Sequence, residues 1–201
     1  MRKKYKIGVC TPIFPNHEKP ESGAFVAKLV QEWLEFDVDV VVFNPQPFFK
    51  RHSENINYKH IKQVNPKYLS FSFLNRNKIV YPVFSRIYKF LMLKAHLFPH
   101  LPDVNYGKFL MSGGYLAYLI SKKYGVPYVL DLGESKLSEG FNSQAELDLA
   151  RLIVKNASGI VCVSCRLKNE AIELGFEESK ILLAPNDVDK KKFYKIDKKI
   201  A

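Results

Sequence analysis

Residues 159–183 read GIVCVSCRLKNEAIELGFEESKILL, and this stretch decides the fold. Its two ends, 159–163 and 181–183, are short and apolar, as buried strands are. The segment 165–174 between them has apolar residues at helical spacing and stops at Gly175. A strand, a helix and a second strand in this order form a βαβ unit with parallel strands. The stretch therefore predicts a parallel sheet covered by helices.

The same alternation extends over the rest of the chain. Further strands are predicted at 6–11, 38–43, 58–64, 104–106 and 128–131. Further helices are predicted at 23–35 after a Ser22 cap, at 83–98, at 113–123, and from the Ser143 capping box to 156. We therefore predict a single α/β domain over residues 1–189, with a doubly wound, Rossmann-like parallel sheet and helices on both faces. A basic tail or hinge remnant follows at 190–201.

The composition is that of a globular domain, because 47% of the 201 residues are hydrophobic and 25% are charged. No apolar run approaches the roughly 18 residues needed to span a bilayer. Three cysteines give no disulfide framework, which favours a reducing, cytoplasmic compartment. Cys162 and Cys165 have the spacing of a metal or redox pair, but without a second pair we predict no metal site.

The net charge of +11 is concentrated in particular regions. The segment 55–102 contains eight Lys or Arg residues and no acidic residue, and its part 84–95 has an apolar stripe at helical spacing. Such a helix suits an anionic membrane surface, but it could equally be buried or cover a partner. Nucleic acid is not expected, since the chain contains no recognised binding motif. The predicted membrane-facing residues are Arg86, Lys89, Phe90, Leu93 and Lys94.

Four parts of the chain carry a family resemblance. Residues 7–15 end in Thr-Pro-Ile-Phe-Pro and are followed by a helix that opens at 22–26; residues 102–106 lead to Gly-Gly-Tyr at 113–115. The other two parts are 125–135 and 157–189, and the last contains Pro-Asn-Asp-Val-Asp where relatives usually have Pro-Asn-Gly-Val-Asp. Together they resemble, over nearly the whole chain, the N-terminal domain of family-4 glycosyltransferases of the GT-B fold.

The resemblance implies a set of residues that line a cleft. Gly23 would let backbone amides approach the donor diphosphate, or it simply eases a strand-to-helix turn. Gly133 and Glu134 stand where the family often has a histidine. Glu134 could hydrogen-bond an acceptor hydroxyl or act as a weak general base, or it is a solvated surface charge. The remaining cleft residues implied are Lys108, Ser135, Ser164 and Asn186.

The function that the resemblance implies is the acceptor side of a retaining hexosyltransferase for surface polysaccharide or glycolipid. This domain alone would bind no cofactor; in a complete enzyme a C-terminal domain or partner chain would bind the sugar-nucleotide donor, so little activity is expected of this chain alone. The alternative is a non-catalytic subunit that docks on the membrane or on a separate donor-binding chain. A generic nucleotide-binding domain is disfavoured by the lack of a Gly-x-Gly-x-x-Gly motif. We expect a cytoplasmic protein, peripheral on the inner face of the plasma membrane.

Overall fold

The computed structural model of the chain describes residues 4–47, 56–68, 101–137, 141 and 143–186. The predicted helix at 83–98, the five membrane-facing candidates and the tail at 190–201 lie outside the described residues. Seven strands form one sheet in which every two neighbouring strands run parallel. In chain order they are β1 (Lys6–Cys10), β2 (Asp39–Phe43), β4 (Ile61–Val64), β6 (Val104–Lys108), β7 (Tyr128–Leu132), β8 (Gly159–Cys162) and β9 (Ile181–Leu183). Two short strands, β3 (Gln46–Pro47) and β5 (Lys67–Tyr68), pair separately.

The sheet is doubly wound, as predicted. The spatial order of strands is β4-β2-β1-β6-β7-β8-β9. Successive strands are therefore added on one side of β1 in the first half of the chain and on the opposite side, from β6 onward, in the second half. Within the described residues the helices are α1 (Ala24–Trp33), α2 (Tyr115–Tyr124), α3 (Gln144–Lys155) and α4 (Cys165–Glu173). The order reverses between β1 and β6, and the carboxyl ends of strands at such a switch point are where sheets of this kind bind ligands.

Alternate residues of the strands feed two cores, one on each face of the sheet. Along β2, Val40 and Val42 pack with α1, whereas Val41 and Phe43 join the core beneath the other helices. Both faces are therefore covered, which explains why these strands are continuous apolar runs rather than alternating ones. The larger core contains side chains from α2, α3 and α4, and it buries Tyr128, Leu130 and Leu132 of β7.

Local signals set the helix ends, with one correction. Ser143 caps α3 by accepting a hydrogen bond from the Glu146 amide, and α2 ends at Gly125, which has a φ of 71°. The predicted Ser22 cap of α1 is wrong. The N-cap residue is Gly23 instead, which has a φ of 76° and provides no side-chain cap. Glycine is needed there because a Cβ would lie 2.8 Å from the Ile13 carbonyl oxygen.

Two predicted elements have different bounds in the structure. Strand 58–64 begins later, at Ile61, because His60 has a φ of 66° and interrupts the extended backbone. The loop predicted after residue 106 is also absent: β6 continues to Lys108, and a π-helix over Phe109–Gly114 leads directly into α2. This shift moves Lys108 from a loop into the sheet.

None of the helices within the described ranges is long and apolar enough to cross a membrane.

Candidate functional site

A buried ion pair lies at the carboxyl ends of β6 and β7. Lys108 is the last residue of β6, and the strand register places Asp131 of β7 directly opposite it. The Lys108 Nζ lies 2.6 Å from Asp131 Oδ2, and the two residues are only 4% and 3% exposed. Ionised groups are buried this deeply only when they are paired, so the strand ends are held together by a charge pair that water barely reaches.

Tyr106 completes the hydrogen bonding of the same carboxylate oxygen. Its hydroxyl donates to Asp131 Oδ2 at 2.6 Å, two residues before Lys108 on the same face of β6. Burial, and then the nearby Asp131 charge, raise the pKa of Tyr106, so the hydroxyl keeps its proton and acts as a donor. Trp33 of α1 packs edge-on against the Tyr106 ring at 4.8 Å. The other Asp131 oxygen, Oδ1, has no hydrogen-bond partner among the described residues.

The backbone beyond β6 turns sharply into the site. Phe109 has a φ of 65°, an unfavourable conformation for a bulky residue, and it begins the π-helix. One-turn π-helices are frequent at functional sites, and strained backbone persists only where the surrounding structure holds it. Here the next amide, that of Leu110, donates a hydrogen bond to Glu134 Oε1. The turn after β6 is thereby tied to the loop after β7.

Glu134 is a half-buried carboxylate and not a solvated surface charge. Burial is the main cause that raises its pKa above the ordinary value of 4.5, while the Leu110 amide and the Lys108 charge oppose the shift. Its Oε2 has no hydrogen-bond partner among the described residues. Glu134 therefore has one oxygen anchored to the Leu110 amide and one buried oxygen without a partner among the described residues, next to a buried cation.

Two aromatic rings flank the cation. The Lys108 Nζ lies 5.1 Å from the centroid of the Phe25 ring and 5.6 Å from that of Phe109. The two rings meet edge to face, 6.4 Å apart. Gly133 completes the group, since a Cβ at that position would lie 3.1 Å from the same Nζ. The Lys108 side chain therefore fills the space beside Gly133.

Three of the predicted cleft residues meet in this group, namely Lys108, Gly133 and Glu134. Gly23 is the N-cap residue of α1, two residues before Phe25. The other three lie elsewhere. The Ser135 carbonyl accepts a hydrogen bond from Arg166, Ser164 caps α4 through the Leu167 amide, and Asn186 is exposed beyond β9.

Sequence reasoning missed four members of the group, which are Phe25, Tyr106, Phe109 and Asp131. A usable signal was present for two of them. An aspartate within the apolar run of β7, and a lysine two residues after a tyrosine at the end of β6, are polar groups that a buried sheet must pair. The two phenylalanines gave no such signal, because phenylalanine is an ordinary core residue.

A separate pocket of about 500 Å³ lies between α3 and α4, on the opposite face of the sheet. Its lining is Leu137, Phe141, Ser143, Gln144, Leu147, Arg151, Glu170, Glu173 and Leu174.

The Cys162 and Cys165 pair offers no thiolate from its buried member, since burial raises the pKa of Cys162 to about 11. Within the described ranges, no group of three or more His, Cys, Asp or Glu side chains could hold a metal ion.

The raised pKa of Glu134 predicts a pH-dependent stability difference. Above pH 4.5 and up to the raised value, the folded chain keeps a proton that the unfolded chain has lost, so the wild type loses stability as pH rises. Glu134→Gln has no such titration. We therefore expect its unfolding free energy, relative to wild type, to increase with pH over this window, as measured by urea unfolding at a series of pH values.

Glu178→Gln is the matched control for this experiment. The hydrogen bond from Lys168 lowers the pKa of Glu178, so the wild type gains stability as pH rises towards 4.5. The difference between this variant and wild type should change with the opposite sign. A pH-independent difference for Glu134→Gln would show that Glu134 titrates normally in the folded chain.

Comparisons with known proteins agree with this fold. No family model matches the chain. The chain is 28% identical over 193 residues to the "Putative teichuronic acid biosynthesis glycosyltransferase TuaC" of Bacillus subtilis strain 168, a match that covers 87% of this chain and 48% of that protein. The chain thus spans about half the length of the curated relative that it matches.

Solved structures show the same relationship. Sucrose-phosphate synthase from Thermosynechococcus elongatus superposes with a TM-score of 0.67 at 13% identity, over 96% of this chain and 51% of that one. Anabaena HepE, solved in complex with UDP-glucose, superposes with a TM-score of 0.60 at 14% identity, over 93% of this chain and 45% of that one. At these identities the likeness establishes the fold alone. The predicted resemblance is confirmed at this level: the chain has the fold of one half of a GT-B glycosyltransferase and is similar in sequence to a glycosyltransferase about twice as long.

Proposed function

We propose that this chain is the acceptor-side domain of a retaining, family-4 type glycosyltransferase. It transfers a hexosyl group from a sugar nucleotide during synthesis of a surface polysaccharide or glycolipid. The sequence similarity to TuaC, whose name refers to teichuronic acid biosynthesis, supports a surface polysaccharide. The fold shared with HepE, which was solved with UDP-glucose, supports a sugar-nucleotide donor. A second domain or a partner chain supplies the donor site.

The group around Lys108 is the observation that carries this proposal. It combines a buried ion pair, a half-buried glutamate with one oxygen that lacks a partner among the described residues, and two aromatic rings, at the carboxyl ends of β6 and β7 beside the switch point. Catalysis in such a transferase depends mainly on holding the donor phosphate and the acceptor hydroxyl in register. In this proposal Glu134 accepts a hydrogen bond from the acceptor hydroxyl, and the Lys108 and Asp131 pair keeps the strand ends in position.

A location at the inner face of the plasma membrane, in the cytoplasm, goes with this proposal. The acid-free basic segment 55–102 supports this location, because Lys and Arg side chains are attracted to an anionic leaflet. The domain extends over 1–189 in this proposal, with 190–201 leading to the donor-binding half.

A second candidate is a non-catalytic binding subunit that presents the acceptor to a separate donor-binding chain. The exposed leucines Leu182 and Leu183 on β9, at the edge of the described sheet, offer an apolar surface on which a separate chain could pack, as could a second domain of a longer chain. The two candidates share the acceptor site and differ in where the donor site lies.

Binding and turnover measurements on the purified 201-residue chain test the leading proposal. We expect simple alkyl glycosides to bind, sugar nucleotides to bind much more weakly, and no nucleoside diphosphate to be released when both are present. The physical reason is that the donor-contacting half of the cleft is supplied by another domain. Release of nucleoside diphosphate by the chain alone would contradict the assignment to an acceptor half, and failure to bind any glycoside would contradict acceptor binding.

A further inference from the structure

Phe25 is an aromatic residue that is not part of either hydrophobic core. It stands in the first turn of α1, whose core-facing residues are Val26, Ala27 and Val30, and it is 50% exposed. A single exposed apolar side chain is common on protein surfaces. Phe25 differs from such residues because its ring is held in a defined place at the rim of the candidate site.

Its neighbours fix the ring in that place. Phe25 meets Phe109 at an interplanar angle of 77°, and the Lys108 Nζ lies 5.1 Å from its centroid, within range of a cation–π contact. Phe109 is fixed in turn, since it directly follows β6 and is the first residue of the π-helix. The two rings therefore form an angled aromatic wall over a buried cation.

The residue beside this wall has no side chain. A Cβ at Gly133 would lie 3.6 Å from the Phe109 ring and 3.1 Å from the Lys108 Nζ, so a side chain there would press on the Lys108 ammonium group beneath the rings. Glu134 follows directly, with its Oε2 lacking a partner among the described residues. The site thus places an apolar aromatic wall next to a hydrogen-bond acceptor.

We propose that Phe25 and Phe109 form a stacking subsite for a pyranose ring of the acceptor saccharide, with Phe25 as the main contact. This inference rests on the proposed function and names the residues that recognise the substrate. One face of a pyranose presents C–H bonds with a partial positive charge, which the negative face of an aromatic ring attracts. Its hydroxyl groups project at the edge, where they need acceptors such as Glu134. A pyranose therefore has a C–H face that can stack on the Phe25 and Phe109 rings and hydroxyl groups that can hydrogen-bond beside them.

The test measures binding of a panel of methyl pyranosides to the 201-residue chain, by ligand-observed NMR titration. Phe25→Leu removes the flat ring but keeps an apolar side chain, and it is expected to weaken glycoside binding roughly two- to tenfold. Phe25→Tyr keeps a ring and should bind like wild type. Phe36→Leu is the matched control, because Phe36 is also an exposed phenylalanine, at 77%, beyond the far end of α1.

Each outcome bears on a different claim. Weaker binding by Phe25→Leu alone, with wild-type binding by the other two variants, supports the subsite. Equal binding by Phe25→Leu and Phe36→Leu overturns the subsite and leaves acceptor binding intact. If the wild-type chain binds no pyranoside, the proposed function is overturned together with the subsite. Should Phe25→Leu fail to fold, loss of binding by a folded Phe25→Tyr overturns the stacking role.

Discussion

Lys108→Met is expected to lower the free energy of unfolding by about 3–5 kcal/mol, the usual cost of removing one partner of a buried ion pair. The cost arises from the charge that remains. The Asp131 carboxylate would keep the Tyr106 hydroxyl but lose the ammonium group 2.6 Å away, in a position that water barely reaches. Urea unfolding followed by circular dichroism measures the loss.

A surface ion pair of nearly the same length is the control. Lys4 and Asp37 are 2.7 Å apart, but their side chains are 52% and 78% exposed. Because water solvates both charges in the folded and in the unfolded chain, Lys4→Met should leave the free energy of unfolding nearly unchanged. If Lys108→Met costs no more than Lys4→Met, the pair at the strand ends is not buried as described.

The double variant Lys108→Met, Asp131→Leu separates the penalty of an unpaired charge from the stabilisation that the pair itself provides. Replacing both ions with apolar side chains removes the orphaned carboxylate, and such replacements are often close to neutral. The double variant should therefore be more stable than Lys108→Met alone. It should still fall short of wild type, because Tyr106 loses the acceptor for its hydroxyl group.

The sheet and its helices could be predicted because their signals are local. Apolar runs of strand length alternate with helical spacing, and caps such as Ser143 and Gly125 act within one turn of the chain. The site was less accessible to prediction. Lys108 and Asp131 meet only because β6 and β7 pair in one particular register, and that register is not encoded near either residue.

One of the bounds that prediction missed also depends on a contact between distant parts of the chain. The Gly-Gly-Tyr sequence at 113–115 indicated a helix start at Gly113, whereas helical turns begin at Phe109. The reason is that this segment packs directly on the end of β1. Helical spacing alone could not show that contact, which joins residues about a hundred positions apart.

Gly113→Ala tests that contact, and we expect it to cost at least about 3 kcal/mol, the upper end of the usual penalty for overpacking. A Cβ at Gly113 would lie 2.0 Å from the Cys10 carbonyl oxygen and 2.4 Å from that of Lys108. Both obstacles are backbone atoms of sheet strands, so no rotamer change relieves the clash. Urea unfolding, or the soluble folded fraction if the variant is too unstable, measures the effect.

Gly159→Ala is the matched control, since its Cβ would meet nothing closer than the Lys180 carbonyl oxygen at 3.7 Å. This variant should stay within about 1 kcal/mol of wild type, because alanine loses less backbone entropy on folding than glycine does. If Gly113→Ala is as stable as Gly159→Ala, the π-helix does not approach β1 this closely. A Gly113→Ala chain that folds by moving the π-helix away should displace Phe109, the first residue of that helix. It should then bind methyl pyranosides more weakly than Gly159→Ala, which ties the packing of β1 to the acceptor site.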